Sequence, residues 1–131
     1  MVKWTEMCQH RPAPGTAEQL ETMAAIDPQF ESAYVCRGTA KYLSERFEES
    51  LVELEQAILL EPERSSAYFW KGMACASLGR DGDAIAAIEK AMELGLPPVL
   101  LAPLYWFEED RPEFFEKYAK PLHARYEQAC I

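Results

Sequence analysis

The sequence predicts an all-α fold of antiparallel helix pairs, about eight helices in 131 residues. Three observations predict it. First, the chain matches itself when laid over itself with an offset of 34 residues, a period typical of helical repeats. Ser32, Ala33 and Tyr34 fall on Ser66, Ala67 and Tyr68, Gly38 on Gly72, Ala40 on Ala74, Glu55 on Glu89, Ala57 on Ala91, and Leu60 on Leu94. Leu20, Glu21, Ile26 and Pro28 precede Leu54, Glu55, Leu60 and Pro62 by the same interval. Second, the residues held in phase include small ones, which close helix packing demands because a larger side chain would hold the backbones apart. Third, apolar residues recur at spacings of three and four, the period of a helix face.

Taken in order, the elements are helices near 2–10, 16–26, 31–44, 48–60, 65–78, 82–94, 98–108 and 112–129. Thr16 with Gln19 makes a capping box that starts the second helix after the loop Pro12–Gly15. Leu51, Leu54, Ala57 and Ile58 form the apolar stripe of the fourth helix. Ala84, Ile85, Ile88, Ala91 and Met92 repeat it one unit later. Pro28 and Pro62 end helices, and Gly79-Arg80-Asp81-Gly82 is a turn. Val99 to Phe107 is apolar on every side and needs cover on more than one face. The last helix carries Phe115, Tyr118, Leu122 and Tyr126 on one stripe, and Pro121 should kink it. A stack of repeats needs capping at its ends, and this segment is expected to serve as the cap.

Tyr34, Gly38, Ser50, Leu54, Ala57 and Pro62, followed by Tyr68, Gly72, Ala84, Ile88 and Ala91, resemble the 34-residue pattern of the tetratricopeptide repeat family. The resemblance covers Thr16 to Leu96. It departs where Leu96 replaces the closing proline, and where Arg37 and Lys71 stand in place of the family's usual leucine. It implies a right-handed superhelical stack of helix pairs, an α-solenoid, forming one domain over 1–131. Within it, 1–28 is a shortened or divergent repeat, 31–64 and 65–98 are full repeats, and 99–131 is a divergent repeat or cap. The first helix falls in phase with a repeat that begins before Met1, as expected of a fragment or of a protein that starts with a shortened repeat.

The resemblance also implies a function. In the family the first helix of each repeat lines a concave groove that holds a partner segment. The matching positions are Ser32, Val35, Cys36, Thr39 and Tyr42 in one repeat, and Ser66, Phe69, Trp70, Met73 and Ala76 in the next. Aromatics and a flexible Met suit such a surface, with the inter-helix core as the alternative place for Phe69 and Trp70, since large aromatics such as Trp70 serve both equally well. Some members grip chaperone carboxylates with Lys and Asn. Val35, Cys36, Thr39, Ser66 and Trp70 stand at those places, so chaperone carboxylate-clamp binding is not expected.

Composition narrows the remaining classes. A formal charge of −9, from 13 basic and 22 acidic residues, opposes nucleic acid and anionic lipid. No run reaches the ~20 apolar residues of a membrane span, and no basic-then-apolar leader opens the chain, so the expected location is the cytoplasm. Cys8, Cys36, Cys75 and Cys130 form no paired motif, and Cys8 with His10 lacks a second pair to complete a metal site. No metal or cofactor is expected. His10 and His123 have no nucleophile pattern near them, Gly72, Gly79 and Gly82 form no phosphate loop, and Glu45, Glu48, Glu49, Glu53 and Glu55 read as a solvated face. The reading is a non-catalytic scaffold or adaptor that binds a protein or peptide segment. The alternatives are a homo-oligomer, such as a homodimer, joined through the aromatic C-terminal helices, and an accessory domain of a larger protein.

Overall fold

Helical periodicity becomes helix over residues 31–129, the part of the chain that the computed structural model describes. The expected helices 2–10 and 16–26, the Thr16 capping box, Cys8, His10 and Cys130 lie outside the described residues. Among the described residues there is no strand. The chain divides into two compact units, one ending at Gly95 and the other resuming at Leu96.

The first unit holds α1 (Glu31–Leu43), α2 (Phe47–Leu60), α3 (Ser65–Ser77) and α4 (Asp81–Glu93). Each packs on the next, and α1 also packs on α3. The α1–α2 pair is antiparallel, because partners descend on one helix as they rise on the other. Tyr42 meets Phe47, with ring centroids 5.1 Å apart, while Ser50 hydrogen-bonds to Gly38.

The small residues have the role that the offset implied. A Cβ on Gly38 would stand 2.7 Å from Leu54 Cγ and 3.4 Å from the Ser50 carbonyl oxygen. A Cβ on Gly72 would stand 2.5 Å from Ile88 Cγ1 and 2.9 Å from the Ala84 carbonyl oxygen. These are the same contacts, 34 residues apart. The buried side chains of α2 (Ser50, Leu51, Leu54, Ala57) and of α4 (Ala84, Ala87, Ile88, Ala91) complete both interfaces.

One polar bond distinguishes the first pair. The Ser50 hydroxyl donates to the Gly38 carbonyl at 2.7 Å in a fully buried setting. The second pair has Ala84 at this place, so the packing tolerates a methyl group there. Ser50→Ala should therefore cost only about 1 kcal/mol, the net worth of one such bond. Urea denaturation would read the change, and an unmoved midpoint would mean that the bond adds nothing to stability.

Both pairs turn in the same way. Arg46 N–H donates to the Lys41 carbonyl and Arg80 N–H to the Cys75 carbonyl, each at 2.8 Å. The residue before each donor adopts a left-handed backbone. Gly79 does so at φ 81°, while Glu45 does so at φ 63° with a side chain that disfavours it. The turn predicted over 79–82 ends earlier, since α4 already begins at Asp81.

The second unit departs more from expectation. The apolar segment predicted as an α-helix over 98–108 is a 3-10 helix at Pro98–Trp106, followed by the short α5 (Phe107–Asp110). Pro103 lies inside it and cannot donate an N–H to an α-helical ladder. A 3-10 helix has about three residues per turn, so side chains three apart share a row. Leu101, Leu104 and Phe107 are that row, and all are buried. Leu100, off the row, is 50% exposed.

The last segment comprises α6 (Pro112–Phe114), a π turn (Phe115–Ala119) and α7 (Lys120–Ala129). The expected disturbance at Pro121 is taken up just before it, where Lys120 N–H donates back five residues to the Phe115 carbonyl. Phe114, Phe115, Ala119, Leu122 and His123 are buried, while Tyr118 is only half-buried. The side chain of Tyr126 is outside the described set. Aromatic rings pack edge to face, with Phe107 and Phe114 at 5.1 Å and Tyr105 and Phe115 at 5.2 Å.

Candidate partner-binding site

The ten positions expected to line a groove lie on α1 and α3, and the structure separates them by exposure. Val35, Cys36 and Thr39 on α1 are half-buried, as are Ser66 and Trp70 on α3. The side chain of Ser32 is outside the described set. Tyr42 is buried, its ring 5.4 Å from that of Trp70 and its hydroxyl 3.1 Å from Ser77 Oγ. Phe69, at 1% exposure, meets the Trp70 ring edge to face at 5.4 Å. Met73 and Ala76 are fully buried.

The structure thus brings Tyr42, Phe69 and Trp70 together, with Trp70 the ring that reaches the surface. Phe69, Met73 and Ala76 belong to the interior. The reason lies in α3 as a whole: Gly72, Met73, Ala74, Cys75 and Ala76 are all buried in sequence. The part-exposed positions of α3, such as Ser66, Trp70 and Lys71, lie before this buried run, and spacing along one helix does not report what lies over it.

Charge is arranged more specifically than a solvated face. Glu45, Glu48, Glu49 and Glu55 are exposed as expected, but Glu53 is not. Its carboxylate accepts from Arg37 Nε at 3.1 Å through one oxygen and from Lys41 Nζ at 3.1 Å through the other. Arg37, at the family's leucine position, thereby finds a partner across the helix pair. The Arg37 guanidinium also lies 4.5 Å from the Tyr34 ring centroid. On the surface, the hydrogen bond from Arg46 holds the Glu49 carboxyl below its usual range.

Of the cysteines, Cys36 and Cys75 are free thiols, the latter buried. Burial first, and then the Asp83 carboxylate, push the Cys75 thiol up from its ordinary value, so it is neutral at pH 7. In the second unit the Tyr105 hydroxyl and His123 Nδ1 share a hydrogen bond of 3.1 Å, with their rings crossed at 87°. His123 is 2% exposed and so is a core residue. Among the described residues, no three His, Cys, Asp or Glu side chains group as metal ligands. None of the described helices is long and apolar enough to cross a membrane.

Comparison with known proteins agrees with this architecture. Residues 65–94, which span α3 and α4, match the family profile of the tetratricopeptide repeat. Over 68 residues the chain is 35% identical to tetratricopeptide repeat protein 28 of Mus musculus, and equally to that of Homo sapiens. The match takes in 52% of this chain but only 3% of the length of each of those proteins. The fold is similar to that in the crystal structure of MamA, with a TM-score of 0.57 at 22% identity, over 86% of this chain and 67% of that one. With its in-phase glycines seated against the facing helix and a family profile matched across α3 and α4, the chain carries a tetratricopeptide repeat at residues 65–94.

Proposed function

We propose that the chain is a non-catalytic interaction module, a scaffold or adaptor that binds a segment of a partner protein. The helix pairs continue as a right-handed superhelical stack, and the partner lies in its concave groove. The observation that carries this reading is Trp70, a half-exposed ring held from the side by Tyr42 and Phe69. An aromatic fixed in place by its neighbours buries much area at little cost in ordering, which is what binding hot spots use. Val35, Cys36 and Thr39 extend the same contact surface along α1. The buried Phe69, Met73 and Ala76 act beneath it, setting the position of Trp70. Free thiols at Cys36 and Cys75 fit a reducing, cytoplasmic setting.

The aromatic residues of the second unit are largely spent on one another, with Phe107, Phe114 and Phe115 buried. That favours the groove over self-association through the C-terminal helices. The test is affinity capture from the native host with the unaltered chain, Trp70→Ala, Glu49→Gln and Tyr118→Ala as baits. A partner in the groove should be lost with Trp70→Ala, since removing a central aromatic costs about 2 kcal/mol or more, roughly thirtyfold in affinity. It should persist with Glu49→Gln. Loss with Tyr118→Ala alone, together with self-association in sedimentation, would replace this reading by the oligomer.

A further inference from the structure

The two repeats differ at one chemically telling point. In the first, Glu53 on α2 receives both Arg37 and Lys41, and its side chain is only 16% exposed. Moving each position by 34 residues gives Lys71, Cys75 and Ala87. The second repeat therefore keeps a cation and loses the carboxylate that would answer it.

A pocket of about 390 Å³ lies at this place, and Lys71, Cys75 and Ala87 all line it. Tyr68 and Leu51 supply apolar wall, and Arg80 and Lys90 bring two more cations. Glu55 and Asp83 also line it, so three cations stand against two carboxylates in a chain whose net charge is −9. Four of these five charged side chains are exposed, and Lys71 alone is half-buried. Among the described residues none of the five is held in an ion pair, whereas Arg37 and Lys41 are. Tyr68, Lys71 and Cys75 sit at spacings of three and four on α3, on a different face from Phe69 and Met73. The site is thus separate from the groove and does not rest on it.

We propose that this pocket binds an acidic side chain of a protein partner, whose carboxylate takes the place that Glu53 fills in the first repeat. Lys71 would meet that carboxylate in a partly desolvated position, where a charge-assisted bond is stronger than in open water. Arg80 and Lys90 attract it from the exposed edge. The openness of the charged lining favours an Asp or Glu carried on a peptide over a free metabolite, because small-molecule sites enclose most of their ligand.

The repeat comparison also designs the test. Ala87→Glu places a carboxylate at the position of Glu53 and should fill the site from within. Lys71→Leu installs the family's usual residue and removes the cation. The full chain is titrated with acetyl-(Gly-Glu)3-amide, with its Gln counterpart and with sodium succinate, following backbone amide signals by NMR. The Glu peptide should shift Lys71, Cys75 and Ala87 saturably, and the Gln peptide should not. Both variants should weaken that binding at least tenfold while keeping their helical circular dichroism and melting midpoint. If Ala87→Glu does not fold, Lys71→Leu decides alone. Equal shifts with the Gln peptide, or binding unchanged in a folded variant, would overturn the proposal. Succinate binding tighter than the peptide at these amides would overturn the assignment to a protein side chain.

Discussion

Phe69→Ala should lower unfolding free energy by about 3–5 kcal/mol, the usual cost of emptying a buried aromatic site. The ring is 1% exposed and crosses Trp70 at 78°, so the variant loses both transfer energy and an aromatic pair. Native domains are stable by only about 5–15 kcal/mol, and a loss of this size should drop the melting midpoint by about 10 °C or more. Urea denaturation followed by circular dichroism measures it directly. A loss below about 1 kcal/mol would place the ring outside the core. The result also governs how binding data are read. Any partner lost with Phe69→Ala is lost with the fold, whereas Trp70→Ala removes a ring that reaches solvent.

Gly72→Leu should be nearly as damaging. Even a single Cβ there would stand 2.5 Å from Ile88 Cγ1 and 2.9 Å from a backbone oxygen. The side chain of Ile88 can turn aside, but the Ala84 carbonyl cannot move without moving α4. Overpacking of this kind costs typically 1–3 kcal/mol, and a contact with backbone argues for the upper end, about 3 kcal/mol. The double variant Gly72→Leu with Ile88→Ala should recover part of the loss, because the two positions share one space. Additive losses, measured as denaturant midpoints of all three variants, would mean that α3 and α4 do not meet there.

The helix pairs could be read from the sequence because their packing rests on residues with one plausible role at a fixed interval. Gly38 and Gly72 face Leu54 and Ile88, and no other residue type would let the backbones so close. The segment Pro98–Trp106 could not be read in the same way. When every residue is apolar, α and 3-10 periods leave the same trace, and only the row Leu101, Leu104 and Phe107 reveals the tighter helix. Pro121 announced a disturbance but not its form, since a kink and a wide turn both relieve a missing N–H. The expected groove was legible only as positions. Whether Phe69 or Trp70 meets solvent depends on helices far along the chain, and spacing within α3 carries no record of them. Glu53 was hidden among its acidic neighbours, although the 34-residue offset contained the signal. Its counterpart is Ala87, and comparing charges between repeats, rather than matches, exposes the difference.

The wide turn at Phe115–Ala119 has a consequence for insertions and deletions. Such a turn is an α-helix with one residue too many, and its wider winding absorbs that surplus. Glu116 and Lys117 lie on its exposed side and should accept many substitutions. Deleting either one should also be tolerated, because the loss of one residue is offset by the return to ordinary α winding, and Leu122 and His123 keep facing the interior. Inserting a residue into the α-helical turn that follows has no such slack, and would rotate everything downstream of it by about 100°. The wide turn is thus a place where the chain can shorten by one residue without turning its core side chains outward.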